Sequence, residues 1–262
     1  MEGIVKPDGS FNQTIDPIEG LLQCAALGLL NGVVFYYNTI PYVNQSINEA
    51  AMVNAAGKGY LNIVELMITK GAYDWNTAMS CAAYKGHRNI IELMIMKGAN
   101  DWNLGMVSAA EGGQRPIVDF FISKGATNWN TGMIFAAYGG HLDIVELMIT
   151  KGANDWNSGM GRAASGGHKS IIEFFIAKGA NDWNWAMECA AYEGYQDIIE
   201  LMIMKGANNL NRAMSNAALA GHLDIVKLMI AKGANDLNTA MKTAASVRRQ
   251  DIIDFLQSRV SS

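Results

Sequence analysis

The residues of this chain that could do chemistry come at fixed intervals. His87, His141, His168 and His222 are its four histidines, spaced by 54, 27 and 54 residues. An imidazole acts as a general base or a metal ligand only when partner side chains converge on it, and intervals of this kind hold the rings apart. The spacing predicts polar turn residues that bond to a neighbouring loop. Glu65, Glu92, Asp119, Glu146, Glu173, Glu200 and Asp254 form a second series, and Lys70, Lys97, Lys124, Lys151, Lys178, Lys205 and Lys232 a third. Carboxylates for acid–base work need a shared pocket with perturbed pKa values, whereas ladders like these predict solvated stripes. Cys24, Cys81 and Cys189 are sparse and odd in number, which predicts a reducing, cytoplasmic setting without a disulfide framework. They form no Cys-x-x-Cys pair, and the sequence shows no phosphate-binding glycine loop, serine-nucleophile elbow or metal motif. The expectation is therefore no enzyme, no cofactor and no metal site.

Trp75, Trp102, Trp129, Trp156 and Trp183, each 27 residues apart, are the remaining candidates. Five indoles in register could stack flat ligands such as bases or sugars. Alternatively, each plugs a connector and closes the core as one rung of a structural ladder. Leu210 and Leu237 take the same place in later copies. Leucine fills a core but offers no π-face, so plugging is the preferred reading.

The same interval defines the elements that must position these side chains. Asn76, Asn103, Asn130, Asn157, Asn184, Asn211 and Asn238 each open one phrase, such as NTAMSCAAYKGHRNIIELMIMKGANDW from Asn76 to Trp102. A unit led by Glu49 precedes them. The leading Asn is expected to cap a first helix by accepting from an early backbone N–H. Ala78, Met79, Ala82 and Ala83 mark one face of that helix, with small residues that let a neighbour approach, and Gly86 ends it. Ile90, Ile91, Leu93, Met94 and Ile95 make a second helix apolar on most sides. Lys97 suits the negative end of its dipole, and Gly98 stops it. Pro116 falls near the start of a second helix, where proline is tolerated. One such pair cannot bury its faces alone, so stacked copies make a solenoid held by near-neighbour contacts.

At AAYKGHRNIIELMIMKGA (82–99) and AAYGGHLDIVELMITKGA (136–153) the chain resembles the second half of an ankyrin repeat, A-A-x-x-G-H-x-x-I-V-x-L-L-L-x-x-G-A. The resemblance covers residues 49–257 strongly and 19–48 weakly. An ankyrin unit usually has about 33 residues, and its extra length is a β-hairpin finger between Gly-Ala and the next helix. Here only NDWN joins Ala153 to the next helix, and forms such as Thr131-Gly132-Met133-Ile134 replace T-P-L-H. The resemblance implies an all-α, ankyrin-like helical repeat solenoid lacking the β-hairpin fingers. One continuous domain is expected: an N-terminal segment 1–18, a divergent capping repeat 19–48, seven repeats over 49–237, and a C-terminal capping repeat 238–262. Short units of the GANDWN type also resemble the ankyrin-repeat families of giant DNA viruses, which implies a host factor as partner inside an infected cell.

The ends depart from the consensus. The front copy aligns through Cys24-Ala25-Ala26 and Val33-Val34, with three extra residues around Pro41. Its Phe35, Tyr36 and Tyr37 are expected to bury themselves against the next unit, a docking patch being the alternative. In the last copy Arg248 and Arg249 stand in place of Gly-His and Gln257 in place of Ile, the polar outer face of a terminal unit.

Half of the residues are hydrophobic, enough for a sizeable core. The net charge of −4 is spread along the chain, so neither nucleic acid nor an anionic membrane is an expected partner. The apolar stretch Leu21 to Tyr37 is short for a membrane span, is interrupted by Asn31 and Gly32, and follows more acids than bases. Function is expected where the copies differ. Positions 2, 5 and 9 of the unit lie on the first helix opposite its Ala/Met face. Tyr84, Ile134, Tyr138, Trp185 and Tyr192 are the expected partner contacts, because Tyr and Trp anchor interfaces. Packing of the tyrosines against neighbouring inner helices is the alternative. The expected function is a non-enzymatic scaffold for a protein partner, with the chain a monomer or weakly self-associating. A structural, self-assembling role through the end caps is the second reading.

Overall fold

The computed structural model describes residues 3–6, 9–40 and 42–260. Pro41, the centre of the expected insertion, lies outside the described residues. Among the described residues there are eighteen α-helices and one isolated antiparallel bridge, between Val5 and Phe11. The chain forms an all-α, ankyrin-like solenoid of helix pairs. No helix among the described residues is long and apolar enough to cross a membrane.

Packing divides the chain into two compact units, Met1–Asn128 and Trp129–Ser262. The first holds α1 (Pro17–Leu27), α2 (Leu30–Thr39), α3 (Gln45–Lys58), α4 (Leu61–Thr69), α5 (Trp75–Lys85), α6 (Arg88–Lys97), α7 (Trp102–Glu111) and α8 (Arg115–Ser123). The second holds α9 (Trp129–Gly139), α10 (Leu142–Thr150), α11 (Trp156–Ser165), α12 (Lys169–Ala177), α13 (Trp183–Glu193), α14 (Gln196–Lys205), α15 (Leu210–Ala220), α16 (Leu223–Ala231), α17 (Leu237–Ser246) and α18 (Gln250–Val260). Within each unit an odd-numbered helix packs on the next odd-numbered helix and on its own even-numbered partner. The odd helices are the first helices of the repeats.

The leading asparagines do not cap these helices. From α5 on, each first helix starts one residue before its Asn, and in five of them the cap is the Asp before that: the Asp74 carboxylate accepts from Thr77 N–H at 3.2 Å. Asp101, Asp155, Asp182 and Asp236 do the same for Leu104, Ser158, Trp185 and Thr239. With the cap position filled, the Asn amide reaches the following connector instead. Asn76 Oδ1 accepts from the backbone N–H groups of Asn100 and Asp101 at 2.9 and 3.0 Å. Asn103, Asn130, Asn157, Asn184 and Asn211 repeat this two-point clamp on their own following connectors. The short connector thus has its backbone donors satisfied by a side chain.

The turns explain the histidines. Gly86 ends α5 with φ 86°, a left-handed conformation that a glycine adopts without strain. The residue after each such glycine packs on the glycine of the preceding repeat: a Cβ on Gly59 would lie 2.7 Å from the His87 ring, and one on Gly194 would lie 2.9 Å from His222. His168 Nε2 is 3.0 Å from the Tyr138 carbonyl. In the last copy Arg249 takes this role and donates to the Ala220 carbonyl at 2.7 Å.

Burial follows the apolar pattern. Ala78, Met79, Ala82, Ala83, Ile90, Ile91 and Met94 are all buried. In α8 and α12 the methionine becomes Phe121 and Phe175, and the facing first-helix alanine becomes Gly105 and Gly159, because a Cβ there would collide with the ring. Gly20 and Tyr36 are the same pair in the front copy, 2.6 Å from a would-be Cβ to the ring. This pairing sets the front register: Leu21, Cys24 and Ala25 are the buried set, with Val33 buried and Val34 exposed, one residue away from the expected alignment. The front aromatics are covered by the chain's own N-terminal segment. Tyr36 donates to the Asn12 carbonyl at 2.7 Å, and Phe11 stacks on Phe35 at 5.4 Å. Tyr37 is half-buried beneath the Lys70 ammonium at 4.6 Å. The Glu49 copy has a longer first helix, capped by Asn44 at its start.

Candidate functional site

The side chains that change from copy to copy gather on the first-helix face, and two grooves lie on this face among the described residues, in different units. The first groove, of about 410 Å³, lies against α3, α5 and α7. Val53, Gly57, Cys81 and Tyr84 form its apolar part, with Lys58 and Lys85 on its rim. Ser80 and Ser108 join hydroxyl to hydroxyl at 2.8 Å along it. The Lys85 ammonium lies over the Tyr84 ring at 4.6 Å, so this tyrosine is half-buried beneath a cation. Burial pushes the Glu111 carboxyl up from its ordinary range, and pushes the Cys81 thiol up as well, with the Asp74 charge adding to the latter.

The second groove, of about 320 Å³, lies against α11, α13 and α15 and is lined by Arg162, Trp185, Glu188, Cys189, Tyr192 and Arg212, among others. Glu188 is only 6% exposed. Asn209 Nδ2 donates to its Oε1 at 2.8 Å, Arg212 Nε to its Oε2 at 3.0 Å, and Asn216 Nδ2 to its main-chain carbonyl at 3.3 Å. Burial raises the Glu188 pKa, while Arg212 and Asn209 pull it back. Asn209 stands where five other copies have a capping Asp, and its side chain bonds Glu188 and makes no cap bond to α15. Burial also raises the Cys189 thiol, against the Ser165 hydroxyl and the Arg162 charge. Trp185 lies against Gly161, where any Cβ would run into the indole.

The expected contact residues are distributed over both units. Tyr84 belongs to the first groove; Trp185 and Tyr192 belong to the second. Tyr138 and Tyr192 are 41% and 46% exposed, so both rings are open to solvent on one side. Ile134 and Trp185 are half-buried. All five ladder tryptophans are half-buried at the starts of their helices, and Trp102 and Trp156 pack on Phe121 and Phe175 with ring centroids 6.5 Å apart. The acids of the second series are exposed except for half-buried Glu200, and the lysines of the third are exposed throughout. Among the described residues no group of three or more His, Cys, Asp or Glu side chains is placed to hold a metal ion.

The sequence reading did not single out Gly57, Lys58 or the Glu188 network. Each carries a signal in the repeat frame. Gly57 falls at the position of Tyr84, and Asn209, like Asn128, stands where five other copies have an aspartate.

A family model for ankyrin repeats matches residues 186–261, in three copies. Those residues are ankyrin repeats. The Asn clamps and the buried Ala, Met and Ile positions also occur outside the matched span, from Asn76 onward. No curated relative matches the chain. Ankyrin repeats are generally protein–protein interaction modules, which agrees with variable side chains sharing one face.

Proposed function

We propose that this ankyrin-repeat protein is a non-enzymatic scaffold whose first-helix face binds a protein partner, a host factor being the partner its viral-type units imply. The observation that carries this is the division of labour within the repeat. The frame of Ala, Met, Ile and Asn recurs and is buried or clamped, while the first-helix face varies and holds both grooves. Tyr138 and Tyr192, half-open and amphipathic, are the anchors in the second unit, with Ile134 and Trp185 beside them on the same variable positions. Tyr84 contributes in the first unit.

The direction of the thiol shifts favours binding over catalysis. A nucleophilic cysteine needs a lowered pKa, and both groove thiols are raised. The free state of all three cysteines suits a reducing, cytoplasmic setting.

The test is crosslinking pull-down from host-cell lysate, with a folded Tyr138→Ala/Tyr192→Ala variant and an outer-helix Glu146→Ala/Glu173→Ala variant as baits. The scaffold reading expects a protein that the tyrosine variant loses and the glutamate variant keeps. Equal capture by all baits, or none by the wild type, counts against it.

A further inference from the structure

The first groove contains a glycine that the fold does not require. Gly105 and Gly159 make room for a phenylalanine, Gly20 for Tyr36, and Gly161 for Trp185. Gly57, in the last turn of α3, does none of these things. Its backbone is in ordinary helical conformation, and a Cβ there would meet Cys81 Cβ at 3.5 Å, an ordinary contact. Later copies carry Tyr84, Glu111, Tyr138, Ser165, Tyr192, Leu219 and Ser246 at this position. Glycine weakens a helix relative to any of these residues. What it does here is leave a gap in the wall of the first groove, next to Cys81 and Tyr84.

The second unit shows what a glycine elsewhere on this face accepts, at the position of Val53. There the Trp185 indole lies on Gly161 and fills the space from within the chain. Above Gly57 the groove keeps about 410 Å³ open, within the range of about 300–1,000 Å³ typical of ligand pockets. Its rim is charged differently as well. The lining has Lys58 and Lys85 against the one carboxyl group of Glu111, whereas the second groove balances Arg162 and Arg212 with Glu188 and Glu193. Lys58 and Lys85 also fall in the last turns of α3 and α5. An apolar recess beside two lysines complements an aromatic side chain with an acid next to it.

We infer that the groove over Gly57 is a docking site for a partner segment carrying an aromatic side chain adjacent to an aspartate or glutamate. This rests on the scaffold reading and assigns that partner a chemistry and a place. The partner's ring sits over Gly57 against Tyr84 and Cys81, as Trp185 sits over Gly161, and its carboxylate meets Lys58 and Lys85.

The test is to pan a library of short random peptides on the full chain and on Gly57→Leu, which fills the gap without a backbone conflict. The expected result is enrichment of peptides with Trp, Phe or Tyr next to Asp or Glu on the wild type, and their loss on Gly57→Leu. A Lys58→Glu/Lys85→Glu variant should weaken the enriched peptides by about tenfold or more. Bound peptide should also slow alkylation of Cys81 while leaving that of Cys189 unchanged; Cys24 stays silent, its thiol pushed up to about 11 by burial. Enriched peptides that lack acids, that survive Gly57→Leu, or that protect Cys189 instead overturn the assignment, and so does an absence of enrichment. Peptides that bind but ignore Gly57→Leu leave the scaffold reading standing while removing this groove from it. Capture of a folded partner through Tyr138 and Tyr192 is read separately, in the pull-down.

Discussion

The two grooves are built from the same repeat yet solve opposite problems. Repeats 76–102 and 184–210 share Cys-Ala-Ala-Tyr on the first helix and Met-Ile-Met-Lys on the second. In the later one Ser165 stands at the position of Gly57, Trp185 lies over the neighbouring Gly161, and the floor is tied by Asn209 and Arg212 to buried Glu188. In the earlier one the wall glycine, Gly57, is uncovered, and the corresponding floor is two serine hydroxyls. The difference shows that the frame sets where a groove forms, while two or three variable residues decide how it is lined.

The largest expected effect separates the two glycines. Gly161→Leu forces a side chain into the Trp185 ring and should destabilise the protein by about 2–3 kcal/mol, read as a lower urea midpoint at unchanged slope. Gly57→Leu, whose Cβ meets Cys81 only at ordinary contact distance, should leave the midpoint near that of the wild type. A similar loss for both would erase the contrast between a filled and an open wall.

The clamp should be indifferent to which groove it serves. Asn76→Ala and Asn184→Ala each free two connector N–H groups, so each should lower stability by about 1–2 kcal/mol. A large loss for one and none for the other would show that the grooves do not share a common frame.

Acidity sharpens the comparison at Glu188. Burial raises its pKa in the folded state, so the folded chain holds that proton to higher pH than the unfolded chain does. Its stabilising contribution is fully present below the ordinary carboxyl range and is lost as pH rises through the raised value. Relative to Glu188→Gln, the wild type should therefore lose stability between about pH 4 and pH 8, measured by urea unfolding at both. Glu111→Gln should show the same sign in the first groove, because burial raises that carboxyl too. The smallest effect expected is at the open wall: Gly57→Ala should stabilise by about 0.5 kcal/mol, because it restricts the unfolded chain and meets only ordinary contacts.

Much of the fold was legible because a repeat states each rule several times. Period, helix pairs, stop glycines and the alternation of Ala/Met and Ile faces all follow from local spacing. Two things were not local. The role of the leading Asn depends on a connector 24 and 25 residues away, so the nearest backbone donors suggested a cap that Asp74 already provides. The front register depends on Gly20 meeting the Tyr36 ring, a size match between two helices that alanine spacing alone does not reveal. The groove residues were half legible. Tyr84, Trp185 and Tyr192 stood out as aromatics on a variable face, but Gly57 is informative through what it lacks, and Glu188 only through partners contributed by the next copy.

The most direct measurement is a titration of the isotope-labelled full chain with indolepropionic acid, following the backbone amides of Gly57 and Gly161. The probe carries one ring and one carboxylate, the two features assigned to the partner. The account predicts a saturable shift of the Gly57 amide that is absent in Lys58→Glu/Lys85→Glu, with the Gly161 amide unmoved beneath Trp185. Equal movement of both amides, or a still Gly57, would contradict it.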